Sequence, residues 1–364
     1  MRRRQGEHLE EDPGPDPDPG IADIIEEITR LWSVEDSELR KHENGFEWLP
    51  GSHAVNVRVA RHVERPDRIR IWITTDCIRS VPIEKADFVR RVGVESRFQC
   101  CGYSLVYPPL DIWRTYVDNE PAELHLFSSA YVDRHTAGWL PGFLARIATM
   151  QPINAENLST VALETFGGGE PAYACGEKKD RISAMLFAAE TVLAQEGQED
   201  SRWIGSEEFR QFADEYGWSN SCLGAGTDKA MTLKTPFGAD VAFIRFRTDQ
   251  QHPQFGSGLL VTTHIRSHQT FDEACAETAG LNFFESRSWT DFPQLGCWNP
   301  YKTAENEADW VHGCFIPNAL FLPGLVAHLA VWSLERVRWV RRTRFPELED
   351  KTMLEIISSR KAET

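Results

Sequence analysis

YPPLDIWRTY (residues 107–116) and FPQLGCWNPY (residues 292–301) follow one pattern, aromatic-Pro-x-Leu-x-x-Trp-x-x-Tyr. Large aromatic rings and a proline at the start of a strand are packing and turn signals, so we interpret the shared positions as structural anchors. They are Tyr107, Pro108, Leu110, Trp113 and Tyr116 in the first stretch and Phe292, Pro293, Leu295, Trp298 and Tyr301 in the second. The pattern predicts that one folding module occurs twice in the chain.

Other matches flank the anchors in the same order. The stretch ITT at 73–75 corresponds to VTT at 261–263, and LPG at 140–142 corresponds to LPG at 322–324. The offset between copies is 185 residues at Trp113 and Trp298 but 172 at Gly45 and Gly217. The second copy is therefore expected to carry an insertion of about 15 residues before Thr262, which surface loops tolerate.

Composition divides the chain further. Residues 1–20 carry charged side chains and alternating prolines, so we expect a disordered tail there. The first module is predicted at 21–160 and the second at 178–345. The linker at 161–177 contains the run Gly167-Gly168-Gly169, which lacks the Lys that a phosphate-binding loop requires. Residues 346–364 form a predicted C-terminal tail.

Hydrophobic periodicity predicts secondary structure in both modules. In the first module it predicts helices at 21–31, 37–44, 83–92 and 141–158, and strands at 55–59, 69–73, 113–117 and 124–132. In the second it predicts helices at 181–195, 206–216 and 271–279 and strands at 229–235, 241–247 and 259–265. Gly45, Gly93 and Gly280 are expected to end helices. The predicted fold is α+β, two tandem α-β-β-β-α-β-β-α modules with antiparallel sheets and helices on one face.

This order of elements resembles the type III secretion chaperone-like fold, which is also seen in YbjN-like proteins. The resemblance is topological and covers both modules. Members of that class often act as dimers that bind other proteins and lack catalytic residues. The resemblance therefore implies an intramolecular pseudo-dimer that binds another protein or peptide, either as a monomer or as a small homo-oligomer.

Charge and cysteine content restrict the partners and the cellular compartment that we expect for the protein. The formal net charge of −16 opposes binding to phosphate backbones, so nucleic acid is not an expected partner. A basic run at Arg336, Arg338, Arg341, Arg342 and Arg344 is expected to be a solvated helix face. None of the eight cysteines has metal-site spacing, and no apolar run is long enough to span a membrane. A cytoplasmic protein with reduced thiols is the expectation.

Few polar residues indicate chemistry. Arg79 and Arg266 occupy matching places in the two modules and could bind a carboxylate of a ligand or of the protein itself. His264 and His268 are four residues apart, which suits a metal only on a helix, whereas the surrounding pattern predicts a strand. We therefore expect no metal, no cofactor and no catalytic residues.

Three hypotheses of function follow. The first is a non-enzymatic binding protein, adaptor or chaperone-like, with an exposed apolar groove near the junction of the modules. The alternative is an enzyme with a site in the cleft between the modules that includes Asp76, His264 or His312. The third is a structural subunit of a larger assembly.

Overall fold

The computed structural model describes residues 19–32, 39–42, 44–50, 53–61, 68–81, 101–106, 122–166, 170–171, 203, 230–235, 242–252, 255–288, 290 and 292–344. These residues form two antiparallel sheets with helices, so the predicted α+β class is confirmed. The helices are α1 (Pro19–Trp32), α2 (Leu140–Phe166), α3 (Phe271–Arg287) and α4 (Leu325–Arg344). A short 3₁₀ helix spans Asn318–Leu320.

The first sheet has the strand order β1-β2-β3-β4-β6-β5. Its strands are β1 (Leu39–His42), β2 (Gly45–Trp48), β3 (Val55–Arg61), β4 (Ile69–Val81), β5 (Gly102–Val106) and β6 (Ala122–Val132). The short strand β7 (Glu170–Pro171) pairs with the end of β4. Alternation along β4 gives the sheet two faces: Ile71, Ile73 and Thr75 face α2, and Arg70 and Trp72 lie on the opposite face.

The second sheet has the strand order β12-β13-β11-β9-β8. Its strands are β8 (Ala230–Lys234), β9 (Ala242–Arg247), β11 (Gly256–Gln269), β12 (Cys297–Lys302) and β13 (Ala308–Pro317), while β10 (Gln251–His252) pairs with β11. Ile265 and Trp310 pack with Leu281 of α3 and Val337 of α4. Helices therefore cover one face of this sheet, and the opposite face carries His264 and Phe243.

The two sheets follow the same connectivity over five strands, β2-β3-β4-β6-β5 in the first and β8-β9-β11-β13-β12 in the second. The first sheet differs from the predicted order because, among the described residues, four strands and not three lie between α1 and residue 82. The helix predicted at 37–44 is wrong, since Leu39 pairs with Trp48 in a β1–β2 hairpin. Gly45 has a φ of 156°, unlike a helix-ending residue, and an added Cβ there would lie 1.9 Å from the carbonyl oxygen of Val57.

Helix boundaries agree in part with the sequence. Helix α2 begins at Leu140 with Pro141 in its first turn, as predicted, and extends to Phe166, beyond the module boundary expected at 160. Helix α4 begins only at Leu325, because Gly324 with a φ of 77° forms a turn before it. The helices predicted at 83–92, 181–195 and 206–216, and the strand at 113–117, lie outside the described residues.

Helix α3 does not end at Gly280. Thr270 and Glu273 form a reciprocal capping box at its start, and the helix continues to Arg287. Leu281 and Glu285 continue the buried stripe that begins at Ala274, so packing extends the helix past the glycine.

The two anchor stretches do not supply strands at corresponding places. Thr75 is opposite Leu126, and Thr263 is opposite His312. The residue opposite His312 on the outer strand is Trp298, whereas the residue opposite Leu126 is Tyr103, ten residues before Trp113. The outer strand β5, which pairs with β6, therefore precedes the first anchor stretch. The corresponding strand β12 instead includes residues 297–301 of the second anchor stretch.

One hydrophobic core connects the sheets. A single cluster of buried side chains includes Ile71 and Ile73 of the first sheet together with Ile244, Phe246 and Val261 of the second. Trp203 is fully buried in this cluster, and its ring meets that of Phe321 edge to face at 4.9 Å. The two sheets therefore share apolar burial instead of forming separate cores.

Two further observations concern the cysteines and the search for a membrane-spanning helix. Five cysteines of the described residues are buried thiols, namely Cys77, Cys101, Cys275, Cys297 and Cys314. Within the described part of the chain, no helix combines the length and apolar character needed to cross a bilayer.

Candidate functional site

The two arginines predicted to bind a carboxylate lie in matching strands. Arg79 belongs to β4, where its backbone pairs with Glu170 of β7. Arg266 belongs to β11 and its side chain is exposed. Because Ile265 points into the core, alternation places Arg266 on the face of the second sheet opposite α3 and α4, the face that also carries His264.

The anchors of the second stretch divide between the core and the surface. Phe292, Leu295 and Trp298 are buried, and Pro293 accepts a hydrogen bond through its carbonyl oxygen from Arg336. Tyr301 is 50% exposed, contrary to the expectation that it packs in the core. It follows Trp298 by three positions in a strand, so alternation turns it to the opposite face. Tyr107, Pro108, Leu110, Trp113 and Tyr116 lie outside the described residues.

The residues expected in an enzyme cleft do not share one face. His312 is opposite Thr263, while His264 is opposite Val311, so the two histidines lie on opposite faces of the second sheet. Asp76 belongs to the first sheet, where its Oδ1 lies 3.1 Å from Nδ1 of His125. The structure therefore does not bring Asp76, His264 and His312 into one site.

The spacing of His264 and His268 does not produce a metal site. The β11–β13 register shifts after Ile265, and His268 has a φ of 51° and is exposed, whereas His264 is buried. Among the residues that the structure describes, no group of three or more His, Cys, Asp or Glu side chains is arranged to hold a metal ion.

A buried arginine joins the two sheets. Arg70 of β4 donates from Nη1 to the carbonyl oxygen of Ser288 at 2.7 Å, and from Nη2 to Oε1 of Gln294 at 3.0 Å and to Oγ of Ser129 at 3.1 Å. Its guanidinium lies 4.4 Å from the ring centroid of Trp72. Burial lowers the pKa of Arg70 to about 10, so the side chain is still charged at neutral pH.

Backbone bonds reinforce this junction. The amide of Gln294 donates to the carbonyl of Ser129 at 2.7 Å, and the amide of Ser129 donates back at 3.3 Å. The Gln294 side chain also donates to the carbonyl of Glu285 at the end of α3. Ser288 and Gln294, from the second half of the chain, are thus held against Arg70 and Ser129 of the first sheet. We call this contact the Arg70 clamp.

A buried ion pair continues inward from the clamp. The Glu285 carboxylate accepts from Nε1 of Trp298 at 2.7 Å and from Nη2 of Arg336 at 3.0 Å. Both charged side chains are 4% exposed, and Arg336 also donates to the carbonyl of Pro293 at 2.7 Å. The first arginine of the basic run is therefore buried, which corrects the prediction of a solvated face. Farther along α4, Arg344 pairs with Glu277 at 2.8 Å.

Carboxylates surround a buried histidine on the first sheet. Besides Asp76, His125 contacts Glu123, whose Oε2 lies 3.0 Å from Nε2. Burial alone would lower the pKa of His125, but the hydrogen bonds to Asp76 and Glu123 outweigh it and raise the pKa to about 9. The imidazole is therefore a cation held between two anions at neutral pH.

The face of the second sheet opposite α3 and α4 carries arginines and aromatic rings side by side. His264 stacks on Phe243 with ring centroids 4.4 Å apart, and Tyr301 meets the histidine ring edge to face at 5.7 Å. Arg245 lies 5.5 Å from the centroid of Phe243. We call Arg245, Phe243, His264, Arg266 and Tyr301 the arginine–aromatic row. Burial and the charge of Arg245 lower the pKa of His264 to about 3, so the row's charge comes from its arginines.

Sequence reasoning singled out Arg266, His264 and Tyr301 of this row, each for a different role, but missed Arg245, Phe243 and the Arg70 clamp. Phe243 and Arg245 alternate with buried residues in β9, a pattern that also describes any half-buried strand. Arg70 occupies the outward position of a regular alternation in β4, where nothing in the sequence distinguishes a buried arginine from an exposed one. Comparison with models of protein families, with curated proteins and with solved structures finds no match to this chain.

Proposed function

We propose that this chain is a non-enzymatic protein-binding protein, adaptor-like or chaperone-like, built as an intramolecular pseudo-dimer of two copies of one module. The carrying observation is the Arg70 clamp, in which the first sheet binds Ser288 and Gln294 from the second half of the chain. It does so with a guanidinium that donates to carbonyl oxygens beside aromatic rings. The other sheet presents the same residue types on the face opposite α3 and α4, in the arginine–aromatic row.

Two further observations support the pseudo-dimer. The sheets share their connectivity over five strands, and one core with one clamp joins them. A similar arrangement is implied by the type III secretion chaperone-like and YbjN-like resemblance, which belongs to the same proposal. The different places of Tyr103 and Trp298 limit the symmetry of the two copies to the strand order.

The proposed partner is another protein or a peptide, not nucleic acid and not a membrane, and the proposed location is the cytoplasm. The scatter of Asp76, His264 and His312 over two sheets and two faces supports a binding role over the enzyme alternative. Since both copies reside in one chain, the pseudo-dimer is expected to behave as a monomer.

Affinity purification of the full chain from its native cells, with mass spectrometry of what co-purifies, tests the proposal. We expect one or a few proteins in amounts comparable to the chain, and light scattering of the purified chain that corresponds to a single copy. Recovery of no protein above a tag-only control, or turnover of a small molecule by the purified chain, would overturn the proposal.

A further inference from the structure

We infer that the arginine–aromatic row binds an extended acidic peptide segment of a partner protein, an inference that rests on the proposed function. The row runs across adjacent strands, since Phe243 is opposite His264 and Arg245 is opposite Thr262. Arg266 lies two positions beyond His264 on the same face of β11. The order along the sheet is therefore Arg245, then the stacked rings, then Arg266.

The spacing of the two guanidiniums sets the spacing of the ligand's charges. Arg245 is opposite Thr262, four positions before Arg266, and four residues of strand span about 13 Å. An extended peptide with carboxylates four residues apart has the same span. The residue midway between them faces the same side and meets the partly exposed ring of Phe243, which stacks on the buried His264.

Charge on the row favours such a peptide. Among the described residues, neither Arg245 nor Arg266 forms an ion pair with a carboxylate, whereas the neighbouring Arg247 is paired with Asp249 at 2.8 Å. The charge of Asp309 interacts with that of Arg266, and the Asp309 carboxylate accepts a hydrogen bond from the amide of Ser267. Both guanidiniums can therefore donate hydrogen bonds to the carboxylates of a ligand, although the net charge of the whole chain is −16.

The aromatic part of the row distinguishes this surface from a simple charged patch. Tyr301 is one of the two large hydrophobic side chains that are strongly exposed among the described residues. The neutral, buried imidazole of His264 stacks on Phe243 and supports that ring without adding charge. A large apolar residue between the two acids is thus part of the predicted ligand.

Fluorescence anisotropy with labelled peptides on the full chain tests this inference. We expect a peptide with the core Glu-Thr-Phe-Thr-Glu to bind, and its match with the core Gln-Thr-Phe-Thr-Gln to bind about tenfold or more weakly. Arg245→Gln and Arg266→Gln should each weaken binding of the acidic peptide about tenfold, and raised salt should weaken it further. Arg134→Gln, which removes an exposed charge from the turn before α2, serves as the matched control and should leave binding unchanged.

Arg245→Lys and Arg266→Lys provide a second pair of variants that keep the charge, and each should retain more binding than its glutamine counterpart. Equal affinity for the two peptides, no binding of either, full binding by the glutamine variants, or preferred binding of a single-stranded oligonucleotide would overturn the inference. A partner purified equally well by wild type and by Arg245→Gln/Arg266→Gln would leave the proposed function standing and reject this site. Failure to purify any partner would instead reject the function.

Discussion

Glu285 and Arg336 have lost nearly all contact with water, and each depends on the other for compensation. Such a pair adds little net stability compared with well-packed apolar residues, but removal of one member leaves a buried charge without its partner. The Arg70 clamp and the His125 cluster follow the same principle. Single substitutions at these residues should therefore have effects far larger than those at exposed charges.

Replacement of Glu285 is the sharpest case. We expect Glu285→Ala to lower the free energy of unfolding by about 3–5 kcal/mol, because Arg336 and the indole N–H of Trp298 lose their acceptor. Asp249→Ala, which breaks the partly exposed pair with Arg247, should cost less than about 1 kcal/mol. Urea unfolding monitored by fluorescence measures both, and equal losses would contradict the assignment of a buried pair.

The histidines predict opposite effects of pH on stability. The pKa of His125 is raised to about 9, so its stabilising contribution is full below about pH 6.5 and is lost as the pH rises through about 9. Burial lowers the pKa of His252 to about 4 and that of His264 to about 3, so the unfolded chain takes up these protons first and stability falls as the pH drops below about 6.5. Unfolding measured between pH 4 and 9, and repeated with His125→Gln, should show the loss of stability between about pH 6.5 and 9 only in the wild type.

At the scale of elements, backbone conformation limits substitution at the start of β12. Gly296 has a φ of 78°, and an added Cβ would lie 2.1 Å from the carbonyl oxygen of Gly313. Gly324 has a similar φ of 77° but open space around it. Substitutions at these two glycines thus separate the free-energy cost of the left-handed backbone conformation from that of a steric clash.

We expect Gly324→Ala to cost about 1 kcal/mol of unfolding free energy from the left-handed conformation alone. Gly296→Ala should cost clearly more, because the strand must move away from Gly313 in addition. Thermal unfolding of both variants checks this order, and a larger loss for Gly324→Ala would refute the clash.

Elements with strict alternation could be predicted from the sequence, and those decided by tertiary pairing could not. The strands β3 and β9 can be predicted because fully buried residues alternate with less buried ones in them. The β1 strand was mistaken for a helix because four residues cannot show a period, and its structure depends on pairing with β2. Helix α3 continues past Gly280 because the packing of Leu281 and Glu285 outweighs the poor helix propensity of glycine.

The candidate site shows the same limit. Arg266 was found through its match to Arg79, which is a comparison within the sequence. Arg245 and Phe243 join it only because β9 pairs with β11 in one particular register, and no local pattern encodes that register.

At the scale of the whole molecule, a common core and a clamp make the two sheets one unit. Gln294 contributes at both ends of the contact, since it bonds Arg70 and Ser129 of the first sheet and the carbonyl of Glu285 in the second half. Loss of this side chain therefore affects the packing of the sheets against each other, more than either sheet by itself.

We expect the wild type to unfold in a single transition that tryptophan fluorescence and far-ultraviolet circular dichroism report at the same denaturant concentration. Gln294→Ala should lower the midpoint by an amount equivalent to about 1–3 kcal/mol, because the Arg70 guanidinium loses a buried acceptor. Gln250→Ala, at a partly exposed position after β9, is the control and should leave the midpoint nearly unchanged. Two separate transitions in the wild type would contradict a shared core.

The shared core also constrains how the protein folds while it is synthesised on the ribosome. When the strands of the first sheet have emerged, Gln294 and the apolar side chains of the second sheet that complete their burial have yet to be translated. The nascent N-terminal portion must therefore wait, with Arg70 and Trp72 still hydrated, until more than a hundred further residues have been added. Slow translation between the two halves should prolong that exposed stage and increase the need for folding assistance in the cell.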